Sequence, residues 1–251
     1  ALPKFNHANQ YVRDYLIKVS TFWIEKGIDG WRLDVADEVP SDFWIEFRKN
    51  IKKINKQSWI IGEIWGDARD WLKGDQFDGV MNYRHGWSSL CWVGGNRINT
   101  SYKNPFYPLK KMNGDEFVEV LNTTLGWYPY HVNCMQLNLL DSHDVPRALN
   151  TLKGDIQALK IALLMLFLLP GAPCLYYGTE FALTGGEDPK CRETIFGSKM
   201  VNKDLYGFIQ LLIIIRRKIY DVHEFSFEWS PMGSDGLSAS INNQNSRFLI
   251  I

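Results

Sequence analysis

The sequence lacks an excess of charge of either sign. Its 251 residues include 28 lysines and arginines against 28 aspartates and glutamates, a formal net charge of +0. Proteins that hold nucleic acid or an anionic membrane by electrostatics carry clustered basic charge. The balance therefore predicts neither nucleic acid nor a membrane among the partners of this protein.

Cysteine is scarce as well. The four cysteines, Cys91, Cys134, Cys174 and Cys191, form no Cys-x-x-Cys pair. This spacing argues against a disulfide framework and against a cysteine metal site, and the sequence assigns no metal ligands. Cys174 lies in an apolar run and is predicted to be a buried free thiol.

Long apolar runs are also missing. The longest one, residues 161–173, is interrupted by Pro170 and is too short for a membrane span, which takes about 20 residues. Aromatic residues are plentiful by contrast, at 14% of the chain with ten tryptophans. Because aromatic rings dominate protein cores, packing is the preferred interpretation, with sugar contact left open, for Tyr83, Trp87, Trp92 and Trp127.

Strand and helix patterns alternate along most of the chain. Apolar and β-branched runs predict five strands, at residues 28–36, 58–65, 77–83, 135–144 and 172–180. Periodic apolar positions predict helices between and after them, including 155–169 and 204–220. The stretch 84–133 is predicted to be irregular with helical pieces such as 115–121. This alternation predicts an α/β fold with a mainly parallel sheet covered by helices.

The first two helices carry start signals. Asn9 is a predicted N-cap of a helix that ends at Gly27, with apolar residues at the helical period at Val12, Tyr15, Leu16, Val19 and Trp23. Ser41 is the predicted N-cap of the next helix, whose predicted buried face consists of Phe43, Trp44, Phe47, Ile51 and Ile54.

The last part of the chain has a different pattern. The segments "FSFEWSP", "GLSASINN" and "SRFLII" alternate in polarity and are separated by glycine, asparagine and serine. They predict antiparallel strands. We therefore expect a domain boundary near residue 222, with residues 223–251 beginning a separate β domain.

Three of the predicted strands end in an acid: Asp34, Glu63 and Asp144. In parallel α/β sheets and barrels, functional groups gather at the carboxyl ends of strands, although a single acid there is usually a helix cap or a solvated loop residue. Three acids at equivalent ends, beside Arg32 and His143, favour an active site over capping.

Glycoside hydrolysis is the chemistry that needs paired carboxylates without a metal. One acid must be ionised to attack or stabilise the sugar, and the other must be protonated to give its proton to the leaving oxygen. Arg32 next to Asp34 favours the ionised form of that carboxylate. Apolar neighbours of Glu63, such as Ile61 and Ile64, are expected to raise its pKa and favour an acid role.

Several segments together resemble a known family. The segments "GIDGWRLDVADEV", "IIGEIW" and "LLDSHD" occur in this order and resemble conserved regions of the α-amylase family of glycoside hydrolases. "LPKFN" at 2–6 resembles the form of a further region found in neopullulanases, cyclomaltodextrinases and maltogenic amylases. The resemblance covers nearly the whole chain, including "GDQFDGVMNY" and the segment "DPKCR" at 188–192.

The resemblance implies a role for each matching residue. Asp34 matches the nucleophile that forms a covalent glycosyl-enzyme, Glu63 the general acid/base, and Asp144 the third carboxylate, which stabilises the transition state. A retaining outcome follows, with the carboxyls of Asp34 and Glu63 about 5–5.5 Å apart. The implied substrate-binding residues are Arg32, His143, Trp65, Asp188 and Arg192. Because "CRETIFG" departs from the family's "CRRPMIW" after Arg192, the Asp188–Arg192 subsite rests on a weaker match.

The implied fold is a (β/α)8 TIM barrel followed by a β-sandwich domain. The family's Asp-x-x-x-Asn-His region, on the third barrel strand, is not found: "FNH" at 5–7 has Leu2 where the Asp would stand. We therefore expect residues 1–222 to supply about strands 4–8 of the barrel, and 223–251 the start of the β domain. Such a fragment is expected to be inactive or self-associating alone, since it leaves open sheet edges.

The implied function is a retaining hydrolase of α-glucans such as cyclodextrins, pullulan, starch or maltooligosaccharides. It cleaves α-1,4 bonds, with α-1,6 cleavage and transglycosylation left open. The alternatives are a non-catalytic carbohydrate-binding protein on the same fold, or another activity of the family, such as α-amylase or glucosyltransferase. No cofactor is assigned to this chain; a calcium ion and a homodimer are left open for the full-length enzyme.

Overall fold

The computed structural model describes residues 3–195, 202–220, 225–232, 236–243 and 247–250. The chain divides into two compact units. The first comprises residues 1–81 and 128–137, and the second comprises residues 82–127 and 138–251.

The first unit contains parallel strands connected by helices. Its elements are α1 (Gln10–Glu25), β1 (Gly30–Leu33), α2 (Ser41–Ile54), β2 (Trp59–Gly62), β3 (Gly79–Asn82, whose last residue is assigned to the second unit) and the short α5 (Tyr130–Asn133). β1 pairs with β2 in parallel, and β2 pairs in parallel with β3. The first three predicted strands and the parallel sheet are confirmed here.

Both predicted helices of the first unit are present, but one cap is different. Asn9 caps α1 as predicted, since its side chain accepts a hydrogen bond from the N–H of Tyr11. The N-cap of α2 is Pro40 rather than Ser41, which is already the first helical residue. The predicted buried face of α2 is largely confirmed, although Ile54, at the C-terminal end, is 41% exposed.

The second unit is richer in helix. Its elements are α3 (Tyr83–Gly94), α4 (Gly114–Gly126), β4 (Leu137–Leu139, whose first residue is assigned to the first unit), α6 (Ala148–Thr151), α7 (Ile156–Leu168), β5 (Ala172–Cys174) and α8 (Lys203–Tyr220). β4 and β5 are neighbours in the strand order. α3 packs against α4 and α7, and α7 packs against α8. Closure of the strands into a barrel stays a prediction.

Helix α3 contradicts the expectation of an irregular segment after residue 83. It is buried on nearly every side, and its buried residues include Tyr83, His85, Trp87, Leu90 and Cys91. The side chain of Asn82 caps it by accepting a hydrogen bond from the N–H of His85. The sequence therefore does contain a start signal for this helix.

The last three strands form a separate antiparallel sheet. β6 (Phe225–Met232) pairs with β7 (Gly236–Asn243), which pairs with β8 (Arg247–Ile250). The prediction of antiparallel strands is confirmed. The domain boundary at residue 222 and the β-sandwich stay predictions, and the turns between these strands lie outside the described residues.

Candidate active-site residues

Arg32 connects two of the predicted catalytic acids. Asp34 follows β1 directly and Glu63 follows β2 directly, and the parallel register pairs Leu33 with Gly62. One terminal nitrogen of Arg32 donates to Asp34, and the other lies 2.8 Å from Oε1 of Glu63. The structure therefore places both carboxylates on a single guanidinium.

The two carboxylates differ in their access to solvent. The side chain of Asp34 is 73% exposed, whereas that of Glu63 is 5% exposed. Glu63 is buried among apolar neighbours, since Ile61 and Ile64 are also buried. It nevertheless accepts hydrogen bonds from the backbone N–H of Val35 at 3.2 Å and from the indole N–H of Trp65 at 3.3 Å. The surroundings of Glu63 are thus more polar than its sequence neighbours predicted.

Val35, immediately after Asp34, has an unusual backbone conformation. Its φ of 43° and ψ of 49° lie in the left-handed region. A β-branched residue is strained there, at a cost of about 1–3 kcal/mol, and such strain clusters at functional sites. In this conformation, the Val35 N–H points at Glu63. No sequence pattern distinguishes this valine from an ordinary strand-end residue.

In the second unit, a different group of predicted residues comes together. Nε2 of His143 lies 3.0 Å from Oδ2 of Asp144, and Nη2 of Arg192 lies 3.4 Å from Oδ1 of the same carboxylate. Nε of Arg192 lies 2.6 Å from Oδ1 of Asp188. The predicted third carboxylate, Asp144, therefore forms one contact group with three predicted substrate-binding residues.

Asp144 does not lie at a strand end, contrary to the sequence interpretation. β4 ends at Leu139, so Asp144 belongs to the loop of residues 140–147, here called the Asp144 loop. The acid nearer the strand is Asp141, which is 4% exposed and accepts a hydrogen bond from the N–H of Ala148 at 2.6 Å. Burial raises the pKa of Asp141 to about 6.

Several residues that hold the Asp144 loop carried no signal in the sequence. The hydroxyl of Tyr102 donates to the carbonyl of Asp144 at 3.4 Å, and the N–H of Asp144 donates to Oγ of Ser142 at 3.1 Å. The thiol of Cys191 donates to the carbonyl of His143 at 3.2 Å. These contacts join residues up to 48 positions apart, so only the folded chain reveals them.

The aromatic residues left open for sugar binding have packing contacts. Tyr83 and Trp87 are buried, at 1% and 6% exposure. The ring of Trp92 stacks on Phe117 at 4.9 Å, and Trp127 faces the guanidinium of Arg84 at 4.6 Å. Packing, the preferred interpretation, agrees with these contacts.

The cysteine prediction is correct in part. All four cysteines are free, but Cys174 is only partly buried.

Within the described ranges, no three side chains of His, Cys, Asp and Glu come close enough together to hold a metal ion. Among the helices of these same ranges, none combines the length and the apolar character that crossing a membrane requires.

Several curated enzymes are similar to this chain in sequence. The chain is 42% identical over 219 residues to a cyclomaltodextrinase of Geobacillus thermopakistaniensis, and 39% identical over 220 residues to neopullulanase 2 of Thermoactinomyces vulgaris. These matches cover 86% and 87% of this chain but 35% of each relative. The chain thus spans about a third of the length of these curated relatives.

A solved structure has a similar fold. The debranching enzyme of Nostoc punctiforme is 34% identical and superposes with a TM-score of 0.92, covering 99% of this chain and 52% of that one. A family model described as the catalytic domain of alpha amylase matches residues 1–207. Because this match takes in most of the chain, the protein belongs to the α-amylase family.

Proposed function

We propose that the protein is a retaining glycoside hydrolase of α-glucans, of the cyclomaltodextrinase and neopullulanase type. The observation that carries the proposal is the shared guanidinium, because Arg32 contacts both Asp34 and Glu63 at the carboxyl ends of adjacent parallel strands. Family membership and the names of the relatives point to the same substrate class.

In the first step, the Asp34 carboxylate attacks the anomeric carbon while Glu63 transfers its proton to the departing glycosidic oxygen. The glycosidic bond breaks, and a covalent glycosyl-enzyme forms on Asp34. In the second step, Glu63 takes a proton from water, which attacks the anomeric carbon and releases Asp34. Transfer to a second sugar instead of water gives transglycosylation.

The contacts support these different roles. Exposed Asp34 is accessible to an incoming sugar and is held by the charge of Arg32. Glu63 is buried, and three donors fix its position: Arg32, the N–H of Val35 and the indole of Trp65. Fixed donors of this kind hold a catalytic group in one geometry before substrate arrives. Asp144, with His143 and Arg192 in contact, is proposed to bind the hydroxyls of the reacting sugar.

The substitution Glu63→Gln tests the proposal. In the protein as its own gene encodes it, we expect the variant to bind maltooligosaccharide but to lose about 10³-fold or more in kcat on β-cyclodextrin, because the amide cannot donate the proton. Glu119→Gln, an exposed substitution on α4, is the matched control and is expected to keep parent activity.

Product analysis after incubation with maltotriose and pullulan then separates hydrolysis from transfer and α-1,4 from α-1,6 cleavage. Unchanged hydrolysis by Glu63→Gln would show that the acid/base assignment is wrong. Sugar binding without turnover in the parent would favour a carbohydrate-binding protein instead.

A further inference from the structure

We propose that Arg147 is a positioning residue for Asp144, connecting the Asp144 loop to the segment that carries Arg192. The inference rests on the proposed function, since it concerns the geometry of the third carboxylate. Arg147 belongs to none of the predicted catalytic or substrate-binding residues. It acts through its contacts with residues 175–193, here called the post-β5 segment.

The burial of Arg147 is the first observation. It is 0% exposed and is the largest of the fully buried side chains in the described part of the chain. Its guanidinium lies over the rings of Tyr176 and Tyr177, at 4.4 Å and 4.8 Å from their centroids. Nη1 donates to the carbonyl of Tyr177 at 2.7 Å, while Nε and Nη2 have no hydrogen-bond partner among the described residues.

A buried guanidinium whose N–H donors lack hydrogen-bond partners adds little to the stability of a core. Taking a guanidinium out of water costs several kcal/mol unless its donors are satisfied, and an apolar side chain of similar size is often as stable or more so. Some buried ionic groups instead select one arrangement among several. The contacts of Arg147 identify the arrangement that it selects.

Those contacts reach the post-β5 segment at several points. The N–H of Arg147 donates to the carbonyl of Gly185 at 3.0 Å. The two rings beneath the guanidinium extend the connection, since the hydroxyl of Tyr176 donates to the carbonyl of Cys191 at 3.3 Å and that of Tyr177 donates to the carbonyl of Glu193 at 3.1 Å.

The post-β5 segment in turn contacts the Asp144 loop. The thiol of Cys191 and Nε of Arg192 both donate to the carbonyl of His143, at 3.2 Å and 3.1 Å. Nη2 of Arg192 lies 3.4 Å from the Asp144 carboxylate. Starting at Arg147, the contacts therefore pass through the tyrosines and Arg192 and return to Asp144, three residues before Arg147.

The backbone at Gly178 makes room for this arrangement. Its φ is +87°, and a Cβ there would lie 3.3 Å from Nη1 of Arg147 and 2.3 Å from Cδ1 of Leu183. Any other residue would be strained in this conformation and would collide with Leu183. The turn after the two tyrosines thus requires glycine where the guanidinium is packed.

Arg147→Lys tests the proposal. Lysine keeps the positive charge, but it has no planar group that can lie over both tyrosine rings and also donate a hydrogen bond to the Tyr177 carbonyl. We expect kcat on β-cyclodextrin to fall about 10- to 100-fold with KM changed less than about 3-fold, as for a misplaced transition-state contact. Arg84→Lys is the matched control: Arg84 also faces aromatic rings and bonds Thr124, but it lies outside both segments. Equal losses of kcat in the two variants would overturn the proposal.

Tyr176→Phe tests the same connection if Arg147→Lys does not fold. It keeps the ring beneath Arg147 and removes only the hydroxyl that reaches Cys191. We expect a smaller loss of kcat, about 3- to 10-fold, with little change in thermal stability. Parent kcat in Tyr176→Phe would contradict the role of this link.

Hydrogen–deuterium exchange provides a readout that needs no activity. In Arg147→Lys, exchange is expected to increase both in residues 142–148 and in residues 186–193, relative to the parent and to Arg84→Lys. If exchange rises only around residue 147, the connection between the two segments is wrong, whatever the enzyme does. If the parent hydrolyses no α-glucan while both segments change together, the proposed function fails and the structural connection stands.

Discussion

At the scale of single residues, the carboxyl groups of this protein lie in different environments. Asp34 and Glu63 contact one guanidinium, yet one carboxylate is exposed and the other is buried. Asp141 shows a third environment, since it is buried, accepts a hydrogen bond from the N–H of Ala148 and interacts with the charge of Arg147. Burial disfavours the charged form of a carboxyl, which is why its pKa is raised.

The raised pKa of Asp141 predicts a dependence of stability on pH. The folded protein binds the proton more tightly than the unfolded chain, so stability from this group is present below pH 3.8 and falls as pH rises towards about 6. In the Asp141→Asn variant, residue 141 has no group that titrates in this range. We therefore expect the unfolding free energy of the variant, minus that of the parent, to rise from pH 4 to pH 6 and then level off.

The parent is the necessary reference because His85 makes stability depend on pH in the opposite direction. Burial lowers the pKa of His85 to about 3, so stability from the histidine is lost as pH falls below 6.5. Urea titrations of both proteins at several pH values isolate the Asp141 contribution. A difference that does not change with pH would show that Asp141 keeps an ordinary pKa.

At the scale of elements, local signals predicted several helices, including α1 and α7. Asn9 caps α1 as predicted, and Asp155, at the start of the predicted helix 155–169, caps α7; each acts through its side-chain oxygen. The apolar period of α1 predicted the helix but not its surroundings, since Tyr15 and Trp23 are 55% and 47% exposed. Periodicity reports the conformation of a segment; which face is covered depends on neighbouring elements.

Helix α4 carries a capping box that can be tested. The side chain of Asn113 accepts from the N–H of Glu116 at 2.9 Å, and the N–H of Asn113 donates to the Glu116 carboxylate at 2.8 Å. Asn113→Ala is expected to lower the free energy of unfolding by about 1 kcal/mol, because it leaves helix N–H groups unsatisfied. Urea denaturation followed by circular dichroism measures the change.

Asn122→Ala on the same helix is the control. Asn122 is exposed in the interior of α4, where alanine is the better helix former, so a gain of about 0.5 kcal/mol is expected. If both substitutions changed stability by the same amount and sign, the capping interpretation would fail.

At the scale of the whole molecule, the two compact units carry separate groups of candidate residues. Arg32, Asp34 and Glu63 lie in the first unit, and His143, Asp144 and Arg192 in the second. The convergence of the three acids on one sugar stays a prediction. The chain spans about a third of the length of the curated relatives. The activity is therefore proposed for the whole protein and not for this chain alone.

The stereochemistry of the products tests that activity. Retaining enzymes separate their two catalytic carboxylates by about 5–5.5 Å, and inverting enzymes by about 6.5–9.5 Å. The proposed mechanism is the retaining one. We expect the first product released from an α-glucan to be the α-anomer. Proton NMR of the anomeric signal, recorded before mutarotation, measures this, and initial release of the β-anomer would rule out the retaining mechanism.

The sequence by itself determined the α/β class, most element positions and the family, because alternating patterns and short motifs are local. It placed Asp34 and Glu63 at the ends of strands, and in the structure they lie one residue beyond β1 and β2. Tertiary structure alone decided the shared contact at Arg32, the left-handed Val35 and the burial of Arg147. Each depends on packing between segments far apart in the chain, and the energy of such contacts is not contained in the residues of either segment alone.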